Sequence, residues 1–146
     1  MNIGIVSGFF NPLHLGHLEY IEAAKQLSDK LICIINNDDQ VSLKGTKKFF
    51  REDHRYKIMQ SIQHIDLCVM SIDTTSGVVD TLKSVRKLFK CDNLTFYNSG
   101  DRKPEEGSNV NKQIINSFEV RYCGSANIDV KYLDLPKIYS SREILS

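Results

Sequence analysis

Four short apolar runs, at residues 3–6, 31–35, 66–70 and 94–97, alternate with stretches whose apolar residues recur at helical spacing. That alternation restricts the fold more than any other feature. Apolar runs of this length suit strands covered on both faces. Between them, Leu18, Ile21, Ala24 and Leu27 point one way from a predicted helix over 15–27, with Glu19, Glu22 and Lys25 outside. Ile58, Ile62 and Ile65 fall at i, i+4 and i+7, and Val78, Val79, Leu82, Val85, Leu88 and Phe89 repeat the pattern with Lys83, Arg86, Lys87 and Lys90 on the wet side. Strands linked through helices imply right-handed crossovers and an α/β fold, a mainly parallel sheet of five or six strands with helices on both faces. The rest is read more locally: a loop over 36–48, a loop over 100–108, a helix over 110–118, a strand over 119–122 and weak alternation over 128–133. Ser140 and Ser141, followed by Glu143, suit a helix start. Polar loops at 8–17, 36–48, 98–108 and 136–142 each follow an expected strand, so they are expected to share the rim where ligands bind such sheets.

The bounds on function are equally simple. A chain of 146 residues with 41% hydrophobic and 25% charged residues fits one globular domain. A net charge of +1 supplies no field to draw the molecule to nucleic acid or anionic lipid, so neither is expected as a partner and any anion site is local. Cys33, Cys68, Cys91 and Cys123 form no CxxC pair, which argues against a zinc ribbon and a redox motif and for a reducing compartment. No basic segment opens the chain, and no apolar run approaches the roughly 18 residues of a membrane span. A cytoplasmic location is the expectation.

The densest chemical signal is the segment from Gly8 through Phe9, Phe10, Asn11, Pro12, Leu13, His14, Leu15 and Gly16 to His17, between the first strand and the first helix. Gly8 permits a tight turn, Gly16 permits close backbone approach, and the N–H groups of a helix start favour an anion. Two histidines three apart share one side of the first helical turn. Such a site suits a polyphosphate. In nucleotidyl transfer to a phosphate monoester the nucleophile is already an oxyanion, so the protein must supply alignment and charge neutralisation rather than a strong base. His14, His17 and Lys44 are residues of the required kinds. Lys44 opens a segment, 44–57, with six basic and two acidic residues, which reads equally as part of the site or as a solvated face. No further ligands at metal spacing accompany the histidines. The P-loop lysine signature, the GxGxxG fingerprint and the GxSxG elbow are absent, which disfavours P-loop hydrolysis, hydride transfer and serine-based acyl transfer.

Together these residues resemble the HxGH nucleotidyltransferase superfamily, in particular its cytidylyltransferase-like branch, which includes glycerol-3-phosphate cytidylyltransferases and the adenylyltransferase domain of ADP-heptose synthases. Residues 8–12 resemble the family's G-x-F-[DN] turn and residues 14–17 its signature; Asp38, Lys44, the Asp53-His54-Arg55 run, Ile65-Asp66, Gly100-Asp101 and residues 139–144 follow in order. The resemblance implies a Rossmann-like doubly wound sheet, in-line attack with release of pyrophosphate, Mg²⁺ carried with the triphosphate, and a homodimer. It implies that His14 and His17 stabilise the α-phosphate, that Lys44 binds the transferring phosphates, and that Ser140 and Ser141 hold the β- and γ-phosphates. Phe9, Phe10 and Asn11 are carried over as nucleotide contacts, with Gly8, Gly16 and Asp101 in the matched motifs, and Asp38 and Arg55 fall among the matches as candidate contacts to the acceptor. Arg142 replaces a small hydroxyl residue and reads either as a further phosphate ligand or as a surface cap, while Asn98 and Arg102 are polar enough to face the acceptor and are explained equally by an exposed loop. Thr46, Gln63 and the Leu135-Pro136 pair depart from the glycerol-phosphate enzymes, which have a lysine, an arginine and an Arg-Thr pair there. The expected activity is therefore transfer from a nucleoside triphosphate, CTP ahead of ATP, to a phosphorylated sugar or polyol. The alternatives are an ATP-using enzyme of the ADP-heptose type and, from another class, a regulatory module that binds nucleotide without turnover.

Overall fold

The computed structural model of the chain describes residues 1–99 and 110–135, without the side chains of 110–117. There the chain runs β1 (Asn2–Gly8), α1 (Leu15–Gln26), β2 (Lys30–Ile35), α2 (Asp38–Lys44), α3 (Glu52–Gln60), β3 (Leu67–Met70), α4 (Val79–Leu88), β4 (Asn93–Ser99), α5 (Val110–Ser125) and β5 (Ile128–Leu133). Every strand pairing among these residues is parallel, in the order β3-β2-β1-β4-β5. The chain starts in the middle of the sheet, builds outward through β2 and β3, then crosses back to add β4 and β5 on the other side. This is a Rossmann-like doubly wound sheet, and its direction of winding reverses between β1 and β4. A crevice opens beyond the C-terminal strand ends at such a reversal.

The period of two along each strand sorts the core into two layers. Ile3, Ile5, Ile32, Ile34, Leu94, Phe96 and Ile128 pack against Val78, Leu82 and Val85 near or in α4 and Cys123 of α5. On the other face Val6, Leu31, Cys33, Ile35, Cys68 and Tyr97 meet Tyr20, Ile21 and Ala24 of α1 and Met59 of α3. Full burial of each large apolar side chain contributes about 1.5–3 kcal/mol. The Tyr20 hydroxyl donates to the Tyr97 carbonyl and so pins α1 across the sheet to β4.

Four readings of the sequence change. The stretch over 36–48 holds the helix α2, seven residues too short to show a period; Asn37 and Gln40 cap it reciprocally, and Gly45 ends it at φ 77°. Ile62 and Ile65 lie beyond α3 in turns, where they still pack on the α1–α3 layer. Residues 119–122 continue α5 instead of forming a strand, because Glu119 and Cys123 turn inward: the buried Glu119 carboxylate accepts from the Val78 N–H at 3.0 Å. Asn98 belongs to β4 rather than to the loop that follows it.

Candidate active site

At the end of β1 the backbone turns under its own aromatic residues. A Cβ on Gly8 would sit 2.9 Å from the Phe10 ring, so the glycine is needed for that close approach. Phe10 has φ 50° and is buried, and its ring meets His17 edge-on, with centroids 5.1 Å apart. The Asn11 amide donates to the Lys47 carbonyl at 2.7 Å, and its oxygen accepts from the Phe49 N–H at 2.9 Å. Its side chain therefore ties the turn to the segment ahead of α3.

His14 is the N-cap of α1 and His17 lies in its first turn. The Gly16 N–H donates to His14 Nδ1 at 3.1 Å, and the His14 N–H donates to His17 Nδ1 at 3.2 Å. Two backbone donors expected to meet an anion directly are thus taken by the imidazoles. The consequence is chemical: a ring that accepts at Nδ1 carries its proton at Nε2. Each histidine, uncharged and accepting at Nδ1, therefore carries its proton at Nε2. The rings stack with centroids 3.7 Å apart and an interplanar angle of 26°. Burial, the neighbouring His14 and the positive charge of Lys44 together hold the His17 pKa down at about 3. At neutral pH it is an uncharged donor.

Lys44, the last residue of α2, lies over the Phe9 ring, with Nζ 4.5 Å from the centroid. The helix that carries it is fixed at its other end. Asn37 donates to the carbonyls of Ser71 and Asp73, and the buried Gln40 donates to those of Thr75 and Gly77. Neither Asn37 nor Gln40 is in the sequence-predicted site, although the Asn-x-x-Gln spacing is a readable capping signal.

Arg55 and Asp38, carried over as acceptor contacts, face each other. The buried Arg55 guanidinium donates to the carbonyls of Phe9 at 2.8 Å, Asn36 at 2.6 Å and Phe50 at 3.1 Å, and to Asp38 Oδ1 at 2.9 Å. One side chain thereby joins the β1 turn, the end of β2, the start of α2 and the approach to α3. Burial would raise the Asp38 pKa, but the Arg55 hydrogen bond, a hydrogen bond from the Glu52 backbone and the nearby Lys48 leave it below the usual carboxylate range.

The structure thus gathers Gly8, Phe9, Phe10, Asn11, His14, Gly16, His17, Asp38, Lys44 and Arg55 at one rim. Asn98 lies at the end of β4, on the sheet face opposite α1. Asp101, Arg102, Ser140, Ser141 and Arg142 lie outside the described residues. Among the described residues, no three His, Cys, Asp or Glu side chains assemble a metal cage, and no helix is long and apolar enough to cross a membrane.

The family model described as cytidylyltransferase-like matches residues 5–141. The bifunctional protein HldE of Trichlorobacter lovleyi is 33% identical over 115 residues, 77% of this chain and 21% of that protein. The FAD synthase of Thermoplasma volcanium is 28% identical over 127 residues, 84% of this chain and 85% of that one. The glycerol-3-phosphate cytidylyltransferase of Bacillus subtilis is 37% identical over 62 residues, 42% of this chain and 48% of its own length. The chain spans about a fifth of HldE and about half of the glycerol-phosphate enzyme. With the family model covering nearly its whole length and the histidine pair seated at the first strand-to-helix turn, the chain belongs to the cytidylyltransferase-like family.

Proposed function

We propose that this rim transfers a nucleotidyl group from a nucleoside triphosphate to a phosphorylated sugar or polyol. One observation carries the reading: two imidazoles, each engaged at Nδ1 and therefore presenting Nε2–H, stand at a helix N-terminus beside Lys44. A phosphate oxyanion of the acceptor attacks the α-phosphorus, a new P–O bond forms in line with the breaking one, and pyrophosphate leaves. The negative charge spread over the α-phosphate oxygens is met by the imidazole donors and the lysine, preorganised so that little reorganisation accompanies the reaction. His17, with a pKa near 3, holds a hydrogen bond and does not exchange a proton. This suits a reaction whose nucleophile needs no base.

Mg²⁺ fits this site as a partner of the triphosphate. The Asp38 carboxylate is engaged by Arg55 and Lys48, and magnesium commonly keeps its waters and binds through substrate phosphates. When bound, it would neutralise the leaving pyrophosphate. CTP is the first nucleotide of this reading and ATP the second. Ser140, Ser141, Arg142 and Asp101 complete the nucleotide contacts in it, and a homodimer is the proposed assembly.

The test is pyrophosphate release with Mg²⁺, each of the four nucleoside triphosphates, and glycerol, pentose, hexose and heptose phosphates as acceptors. Release that requires one nucleotide together with one acceptor is the expected result. Nucleotide binding by calorimetry, with no release from any pair, would contradict turnover and favour the regulatory module.

A further inference from the structure

We infer that Asn98 is a specificity-determining residue of this site, donating from its side-chain amide to an uncharged oxygen or nitrogen of the bound nucleotide or of the phosphorylated acceptor. The inference rests on the nucleotidyltransferase reading. It begins with the strand register. Ile32, Ile5, Phe96 and Val130 lie level across β2, β1, β4 and β5, and all four belong to the apolar layer under α4 and α5. Two residues further along, on the same face, Ile34 pairs with Ser7 and Asn98 pairs with Tyr132, and continuing the β1–β4 register sets Ser7 level with Asn98. The row therefore changes from fully apolar to Ile34, Ser7, Asn98 and Tyr132. It changes at β1 and β4, where the sheet reverses its direction of winding and the ligand crevice of such folds opens.

Within this row Asn98 is 2% exposed, and its Nδ2 is the single buried side-chain nitrogen or oxygen without a hydrogen-bond partner among the described residues. A buried donor left unpaired costs about 1–3 kcal/mol, and most such groups in folded proteins are satisfied. Strand packing alone offers no reason to place an amide there, since Leu94 and Phe96 fill the same face lower down. A ligand acceptor would satisfy it. An uncharged acceptor matches a neutral amide donor in a row where, among the described residues, no cation stands, whereas His14, His17 and Lys44 belong to the α1 side of the rim. Hydroxyl or carbonyl oxygens and ring nitrogens of a base, a ribose or a polyol meet the requirement. Sites built to hydrogen-bond such a group discriminate strongly against analogues that lack it.

The test compares wild type with Asn98→Leu and Asn98→Asp by melting temperature and by the separate KM values for nucleotide and acceptor. Asn98→Leu removes the unpaired donor, so it is expected to melt at or above wild type while raising one KM at least tenfold. A rise confined to the nucleotide assigns the contact to base or ribose; a rise confined to the acceptor assigns it to the polyol. Asn98→Asp retains the size of the side chain and supplies the same comparison if the leucine variant does not fold. Folded variants with both KM values unchanged would overturn the inference. If wild type turns over no pair, the nucleotidyltransferase reading fails on its own. Asn98 is then judged by calorimetry with the four nucleoside triphosphates and with the glycerol, pentose, hexose and heptose phosphates, where a tenfold loss of affinity for one of them supports it and unchanged Kd values for all overturn it.

Discussion

His17 shows how a single residue at this rim is tuned. Its Nδ1 is engaged by the His14 N–H, and burial with two neighbouring cationic or ionisable groups depresses its pKa to about 3. The folded protein therefore binds fewer protons at this ring than the unfolded chain between about pH 6.5 and 3, so its linkage term makes stability fall as pH drops through that window. Replacing His17 with Gln is expected to flatten the acid side of the stability profile, measured by urea unfolding between pH 7 and 4; an unchanged slope would remove the buried neutral ring from the account. At Lys44, replacement by alanine is expected to lower kcat/KM by about 10²-fold, the scale of one preorganised transition-state donor. If Lys44→Ala loses only stability, the lysine belongs to the wall and not to the chemistry. The residue types were legible in the sequence, since Gly8, His14, Gly16 and His17 stand in a spacing few other structures would require. Their hydrogen bonds were not: that the rings would take the helix-start amides depends on χ angles that packing against Phe10 settles.

At the scale of elements, α2 and the Arg55 cluster place Lys44 and the β1 turn. Asn37 caps α2 and also ties it to the carbonyls of Ser71 and Asp73, so Asn37→Ala is expected to cost about 1–2 kcal/mol. Calorimetric melting checks this, and a loss within a few tenths would show that Gln40 alone holds the helix. Arg55→Met would leave Asp38 with Lys48 and the Glu52 backbone as its partners and unpair the buried carbonyls of Phe9, Asn36 and Phe50, at a cost of about 3–5 kcal/mol. Chemical denaturation gives the number directly; a loss below 1 kcal/mol would mean that water replaces the guanidinium freely. Helices α1 and α4 were readable from periodicity because each spans ten residues or more. Helix α2 was not, because seven residues complete barely two turns, and 119–122 was misread because a four-residue window cannot reveal that Glu119 caps the approach to α4 from the interior.

The whole molecule explains why these pieces meet. A chain that winds β1, β2 and β3 outward and then returns to β4 leaves its reversal beside the β1 turn, so the histidines, Lys44 and Asn98 lie around one end of the sheet. The strand–helix alternation announced that architecture, while the strand order and the faces of individual rim residues required the register. A ligand spanning the reversal binds only the folded state. At a nucleotide concentration one hundred times Kd, stabilisation is about 2.7 kcal/mol, which for a domain of this size raises Tm by roughly 5–10 °C. Scanning calorimetry with each nucleoside triphosphate measures that shift, and its absence for all four would remove the nucleotide from the site. The central claim, that the imidazole donors act on the α-phosphate in the transition state, is tested most directly by steady-state kinetics and nucleotide calorimetry on His17→Ala. The expected result is a kcat lowered by about 10²-fold or more, with nucleotide Kd and Tm close to wild type; an unchanged kcat in a folded variant would contradict it.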